Sequence, residues 1–102
     1  MARQIEFLYF ADCPSHEEAL ALLREVAAEL ELDQAIEVTE VRSDAEALAH
    51  HFPGSPTIRV DGVDIDPAGA EGRAALSCRI YRLPDGRVEP LPSRERIVEA
   101  LR

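Results

Sequence analysis

Ile5-Glu6-Phe7-Leu8-Tyr9-Phe10-Ala11-Asp12-Cys13-Pro14 is the stretch on which the fold turns. Gln4 to Phe10 is rich in β-formers and almost continuously apolar, the pattern of a central strand covered on both faces. Ala11-Asp12-Cys13-Pro14 ends it, and proline suits a first helical position because the N–H it lacks would be unpaired there. Cys13 is therefore expected where a strand stops and a helix starts. Beyond it, Leu20, Leu23, Ala27 and Leu30 form a helical stripe, widened by Ala19, Leu22 and Val26. Glu17, Glu18, Arg24, Glu25 and Glu29 take the wet side.

Ala35 to Val41 reads as a short alternating strand with Ile36 and Val38 on one face. Ser43-Asp44-Ala45-Glu46 is a capping box, in which serine and glutamate satisfy each other's free N–H groups. Ala45, Leu48, Ala49 and Phe52 give its helix an inner face, and Pro53-Gly54 stops it. Thr57 to Val60, Asp61-Gly62 and Val63 to Asp66 form a tight hairpin. Asp66 to Ala75, with Pro67, Gly69 and Gly72, reads as a mobile loop. Leu76 to Leu83 alternates again and places Leu76, Cys78 and Ile80 on one face. Pro84-Asp85-Gly86 turns the chain into a short edge strand, Arg87 to Leu91. Ser93 caps a last helix whose Ile97, Ala100 and Leu101 face inward.

The order β-α-β-α-β-β, then extra β, then α, predicts an α/β domain spanning residues 1–102, with a mixed central sheet flanked by helices. The hydrophobic fraction of 46% excludes a disordered chain. Net charge is −9, and all 11 basic residues are arginine, which reads as codon bias. That acidity argues against binding nucleic acid or an anionic membrane. No apolar stretch approaches the roughly 20 residues that span a bilayer, and Met1-Ala2-Arg3-Gln4 lacks the head of a secretory signal. The expected location is cytoplasmic, where two cysteines are thiols, redox groups or ligands sooner than a permanent bridge.

A second element gives the cysteine its context: Gly54-Ser55-Pro56-Thr57-Ile58 opens a strand behind the second helix. Residues 4 to 66 thereby resemble the thioredoxin-glutaredoxin superfamily. Segments 54–62 and 75–81 also resemble small bacterial thioredoxin-like proteins, some of which carry an alkylmercury lyase-like label. The resemblance implies a thioredoxin-like fold with an extra β segment before the C-terminal helix. It implies that Pro56 is cis and lies against the active thiol, and that Ser55, with Pro56 and Thr57, docks the substrate backbone. The chain departs from the typical member in having His16 where the partner cysteine stands, and in having no tryptophan.

The expected activity is thiol-disulfide exchange with a protein or small-molecule thiol or disulfide, and no cofactor. Cys13 is the nucleophile, because free N–H groups and the helix dipole favour its thiolate. His16, one turn on, could donate to the sulfur, while Asp12, Glu17 and Glu18 act against the thiolate. Cys78 is either a core-facing cysteine or a resolving thiol brought beside Cys13. The alternative function is a module that captures a soft metal or a partner protein through the two thiols. Cys13, His16, His50, His51 and Cys78 supply enough donors for zinc, but their spacing matches no zinc motif, and no metal is assigned. His50 and His51 read as helix-end histidines, and Asp61, Asp64 and Asp66 as a solvated hairpin, not a calcium loop. No phosphate-binding loop or serine triad is present.

Overall fold

Strand β1, Ile5–Tyr9, lies between two neighbours, as its almost continuously apolar run leads one to expect. The computed structural model describes residues 4–32, 35–71, 74–83 and 85–102. Parallel to β1 runs β2, Ile36–Glu40, with Phe7 opposite Val38. Antiparallel on the other side is β3, Thr57–Val60, with Phe7 opposite Ile58. Strand β4, Val63–Asp64, closes the hairpin, giving a mixed sheet in the order β2-β1-β3-β4. Asp61 and Gly62 both take positive φ, 53° and 82°, as a two-residue hairpin turn demands.

Helix α1, His16–Glu29, and the C-terminal helix α4, Arg94–Leu101, cover one face of this sheet. Their Leu23, Val26, Ile97 and Leu101 pack with Ile5, Phe7 and Ile58. Each large apolar side chain fully buried there contributes about 1.5–3 kcal/mol. Outside, Arg94 of α4 pairs with Glu25 and Glu29 of α1. Leu8 points to the opposite face, joining Val41, Phe52 and Ala47 of helix α2, Asp44–Ala49. Four elements complete the chain: the single turn α3, Pro67–Ala70, the ribbon of β5, Tyr81–Arg82, with β6, Val88–Glu89, and α4 capped by Ser93. Among the described residues no helix is long and apolar enough to cross a membrane.

Six local readings need correction. Helix α2 turns the other way: Ala47 is buried, whereas Ala45, Leu48 (69% exposed) and Ala49 face water. The helix ends at His50 and His51 takes φ 51°, so Phe52 enters the core by a chain reversal and does not share the helical stripe. In its cap, Ser43 Oγ accepts from the Glu46 N–H, but the Glu46 carboxylate reaches the Arg42 N–H instead of that of Ser43. Val38 is half-exposed because β2 is an edge strand. The predicted loop 66–75 contains the α3 turn, where Pro67 fits a first-turn position; Gly72, like Pro84 of the later turn, lies outside the described residues. Finally, the 76–83 alternation holds only at Leu76, which packs against the α2-side core; beyond it the phase is inverted, with Arg79 and Tyr81 buried and Cys78 and Ile80 exposed.

Candidate functional site

Cys13 follows β1 in a tight turn, its N–H donating to the Phe10 carbonyl at 3.0 Å. Helix α1 starts only at His16, so Pro14 belongs to the turn and not to the helix. Ser15 is the N-cap by position, and its carbonyl accepts from the Ala19 N–H. Its hydroxyl makes no capping bond and lies 3.4 Å from Cys13 Sγ. The sulfur is enclosed, with Cys13 only 1% exposed.

Ser55 organises everything around that sulfur. It is fully buried, and the Ser55–Pro56 peptide is cis, the isomer the resemblance implies. Its Oγ accepts from the Phe10 N–H at 2.9 Å, which ties it to the end of β1. Its carbonyl accepts from Cys13 Sγ at 3.6 Å. Its N–H donates to the Ser77 carbonyl and its carbonyl also accepts from the Arg79 N–H, both at 2.8 Å. These two bonds form a parallel bridge between Ser55 and Cys78. Cys78 is thereby held at the residue whose carbonyl contacts the Cys13 sulfur, and each thiol shifts the titration of the other. Both cysteines are free thiols.

The two thiols are electrostatically unequal. Burial raises the Cys13 pKa, but hydrogen bonds from Cys78, from the Ser15 hydroxyl and N–H and from the Ser55 hydroxyl outweigh it, so the thiol lies below its ordinary 9.0. Cys78 lies above 9.0, because it spends its proton on Cys13, is partly desolvated and faces the charge that Cys13 develops. His16 is not among the groups acting on the sulfur; its ring stacks on Tyr9, with centroids 4.6 Å apart. Pro56 and Thr57 are buried, and Thr57 Oγ1 donates to the Gly54 carbonyl at 2.6 Å. The backbone polar groups of Ser55, assigned to a substrate by the resemblance, are already used by residues 77–79 of the same chain.

Arg79 is the residue that sequence reasoning missed. Its guanidinium forms a two-pronged pair with the Asp64 carboxylate, both contacts at 2.8 Å, with side-chain exposures of 3% and 7%. It also donates to the Asp66 carbonyl at 2.9 Å and to Thr57 Oγ1 at 3.3 Å, and lies 4.6 Å from the centre of the Tyr81 ring. Burial works against its charge, yet the Asp64 hydrogen bonds and the electrostatic pull of Tyr81, Asp64 and Asp66 together more than offset this and raise its pKa. Tyr81 donates to the Pro56 carbonyl, and burial pushes its phenol well up. Asp64 is thus an anchor and not the solvated hairpin carboxylate expected. The alternation around Cys78 gave no signal of this, since a buried arginine is recognisable only with its carboxylate in place.

The histidine pair goes elsewhere. His50 and His51 are exposed, and their carbonyls, not their rings, accept from Arg59. Among the described residues no group of three or more His, Cys, Asp or Glu side chains converges as a metal site. No family model, no curated protein and no solved structure matches this chain.

Proposed function

We propose that this is a thioredoxin-like dithiol protein that performs thiol-disulfide exchange, cycling Cys13 and Cys78 between two thiols and one disulfide. The observation that carries the reading is the Ser55 bridge: one residue's backbone holds Cys78 and its carbonyl contacts the Cys13 sulfur. The mixed sheet with α1 and α4 on one face and α2 on the other supports a thioredoxin-like arrangement. Cys78 takes the place of the partner cysteine absent at His16. A thiolate at one sulfur and a proton on the other is the state from which exchange proceeds, because thiolate and not thiol attacks a disulfide. In the oxidising direction the protein dithiol loses two protons and two electrons to a small disulfide, which is reduced to two thiols. A reducing compartment such as the cytoplasm suits the dithiol resting state.

Incubation with a small disulfide, followed by mass measurement, tests the proposal. Wild type is expected to lose the mass of two hydrogens and regain it with a dithiol reductant, while Cys13→Ser retains a mixed disulfide and Cys78→Ser never loses the two hydrogens. A wild-type protein that accumulates two mixed disulfides and never closes its own would sink the reading.

The adjacency of the thiols also favours a second reading, capture of a soft ion content with two thiolates, such as copper(I) or mercury(II). This is where an alkylmercury lyase-like label would find chemistry. Titration of the reduced protein separates the two: binding lost in both single Cys→Ser variants supports capture, and binding unchanged in either removes it.

A further inference from the structure

We infer that the exchange partner is a low-molecular-weight thiol or disulfide and that it reacts at Cys78, with Cys13 as the internal partner. The inference rests on the dithiol reading above and assigns its substrate class and point of attack. Its first support is access. Cys13 is 1% exposed, enclosed by Ser15, Ser55 and the 77–79 segment, whereas Cys78 is exposed. A reagent in solution therefore meets the Cys78 sulfur first.

The second support is the occupied edge. The resemblance implies that an extended peptide docking beside Cys13 would pair with the N–H and carbonyl of Ser55, and both are bonded to Ser77 and Arg79 at 2.8 Å. Residues 77–79 lie where such a peptide would lie, and Cys78 takes the position of its cysteine. The occupant is not loosely held. Arg79, the next residue, is locked to Asp64, the Asp66 carbonyl and Thr57. Its backbone and Cβ press so closely on Gly54 that a Cβ there would stand 2.9 Å from Arg79 Cβ. A protein strand would have to break that anchor to pair with Ser55; a small molecule reaching the exposed sulfur of Cys78 displaces nothing.

In the reducing direction the thiolate of a small thiol attacks the Cys78 sulfur of the Cys13–Cys78 disulfide. A new bond forms between that thiol and Cys78, the Cys13–Cys78 bond breaks, and its electron pair leaves on Cys13. A second small thiolate then attacks the small-molecule sulfur of the mixed disulfide and releases Cys78, which takes up a proton. Two small thiols become one small disulfide, and the protein disulfide becomes a dithiol. The Ser15 and Ser55 donors around the Cys13 sulfur receive its charge as it leaves. This order reverses the expectation that Cys13 makes first contact.

The test begins with reduced full-length protein, a sub-stoichiometric amount of iodoacetamide at neutral pH, and peptide mapping. Cys13 holds the larger share of thiolate and Cys78 the access; the burial of Cys13 is expected to decide, with roughly tenfold more label on Cys78 in the native protein and near-equal labelling after unfolding. Preferential labelling of Cys13 overturns the point of attack. Next, the oxidised protein is reduced by glutathione and, separately, by an unstructured peptide bearing one cysteine at equal thiolate concentration. Equal or slower reduction by the peptide supports the substrate class; reduction roughly tenfold faster and saturable overturns it. If the intramolecular disulfide never forms, the dithiol reading itself falls, and this inference with it.

Discussion

Cys78 and Arg79 are adjacent, and the extended backbone sends them to opposite fates. Cys78 is exposed and meets a second thiol; Arg79 is buried and meets a carboxylate. The period-two alternation of extended chain makes this possible. One face of the segment carries the thiol, and the other fixes where that thiol stands. A thiol on an otherwise unanchored stretch would sample many positions; here the next side chain is clamped by two parallel N–H···O bonds, so the Cys78 backbone has little freedom. Reactivity and rigidity are thus divided between neighbours, and each can be attacked separately.

Breaking the anchor is the harsher test. Arg79→Ala leaves Asp64 buried without its counter-charge, and removal of one partner from a buried pair costs about 3–5 kcal/mol. Arg79→Lys keeps the charge but not the fork, and its loss is expected to fall between wild type and alanine. Equilibrium unfolding in guanidinium chloride measures both. An alanine variant within about 1 kcal/mol of wild type would show that the pair is not the anchor described. The same variant should slow closure of the Cys13–Cys78 disulfide, because the Ser55 bridge depends on the segment Arg79 holds.

The contrast between the two residues also marks where sequence reading succeeds. Cys13, Ser55 and Pro56 stand at element junctions, and junctions are written locally: an apolar run stops, a proline follows, a strand resumes. The β1–α1 unit, the 57–64 hairpin and the Ser93 cap were legible on the same grounds. Arg79 is not local. Its burial depends on Asp64, which lies in β4, 15 residues earlier in the chain, and meets it only in the folded structure. Apolar patterning therefore chose Cys78 and Ile80 as the inner face, and Ile80 stands 63% exposed. The misjudged phase of α2 has the same origin: Phe52 was counted into a helix that a left-handed residue at His51 had already ended.

Gly54→Ala strikes the segment from the other side. Gly54 has φ +144°, where a side chain is strained, and the added Cβ would meet Arg79 Cβ at 2.9 Å. A cost of about 1–3 kcal/mol is expected from the backbone alone. Disulfide closure should slow in step with the loss of stability, since the Ser55 bridge lies one residue away. An alanine variant of wild-type stability and closure rate would show that residues 77–79 do not lie against Gly54.

The inequality of the thiols makes a prediction in pH. In the reduced protein Cys13 titrates below 9.0 and Cys78 above it. Cys13 has its pKa lowered by folding, so it adds stability as pH rises from its folded value towards 9.0, and that gain disappears as pH falls through the folded value. Cys78 has the opposite shift, so it removes stability as pH rises beyond 9.0 towards its own folded value. The cysteine contribution to stability should therefore peak near 9.0. The oxidised protein, with neither thiol to titrate, should lack this peak. Ultraviolet absorbance of thiolate follows the groups directly: Cys78→Ala should move the Cys13 titration up, and Cys13→Ala should move that of Cys78 down. Independent titration of the two sulfurs would contradict their adjacency.

Ser15→Ala makes the finest cut, because it touches Cys13 without disturbing the segment that carries Cys78. The hydroxyl lies 3.4 Å from the sulfur and makes no helix-capping bond, so its removal costs the thiolate one weak donor and leaves α1 intact. The Cys13 titration should move upward, and disulfide closure at neutral pH should slow by about twofold, the lower end of what a single hydrogen bond contributes. Unfolding stability should stay at the wild-type value. If closure slows much more than this, Ser15 does more than donate to the sulfur. If closure and titration are both unchanged, the Ser15 N–H, Ser55 and Cys78 sustain the lowered pKa without the hydroxyl, and the activation of Cys13 belongs to the same bridge that positions its partner.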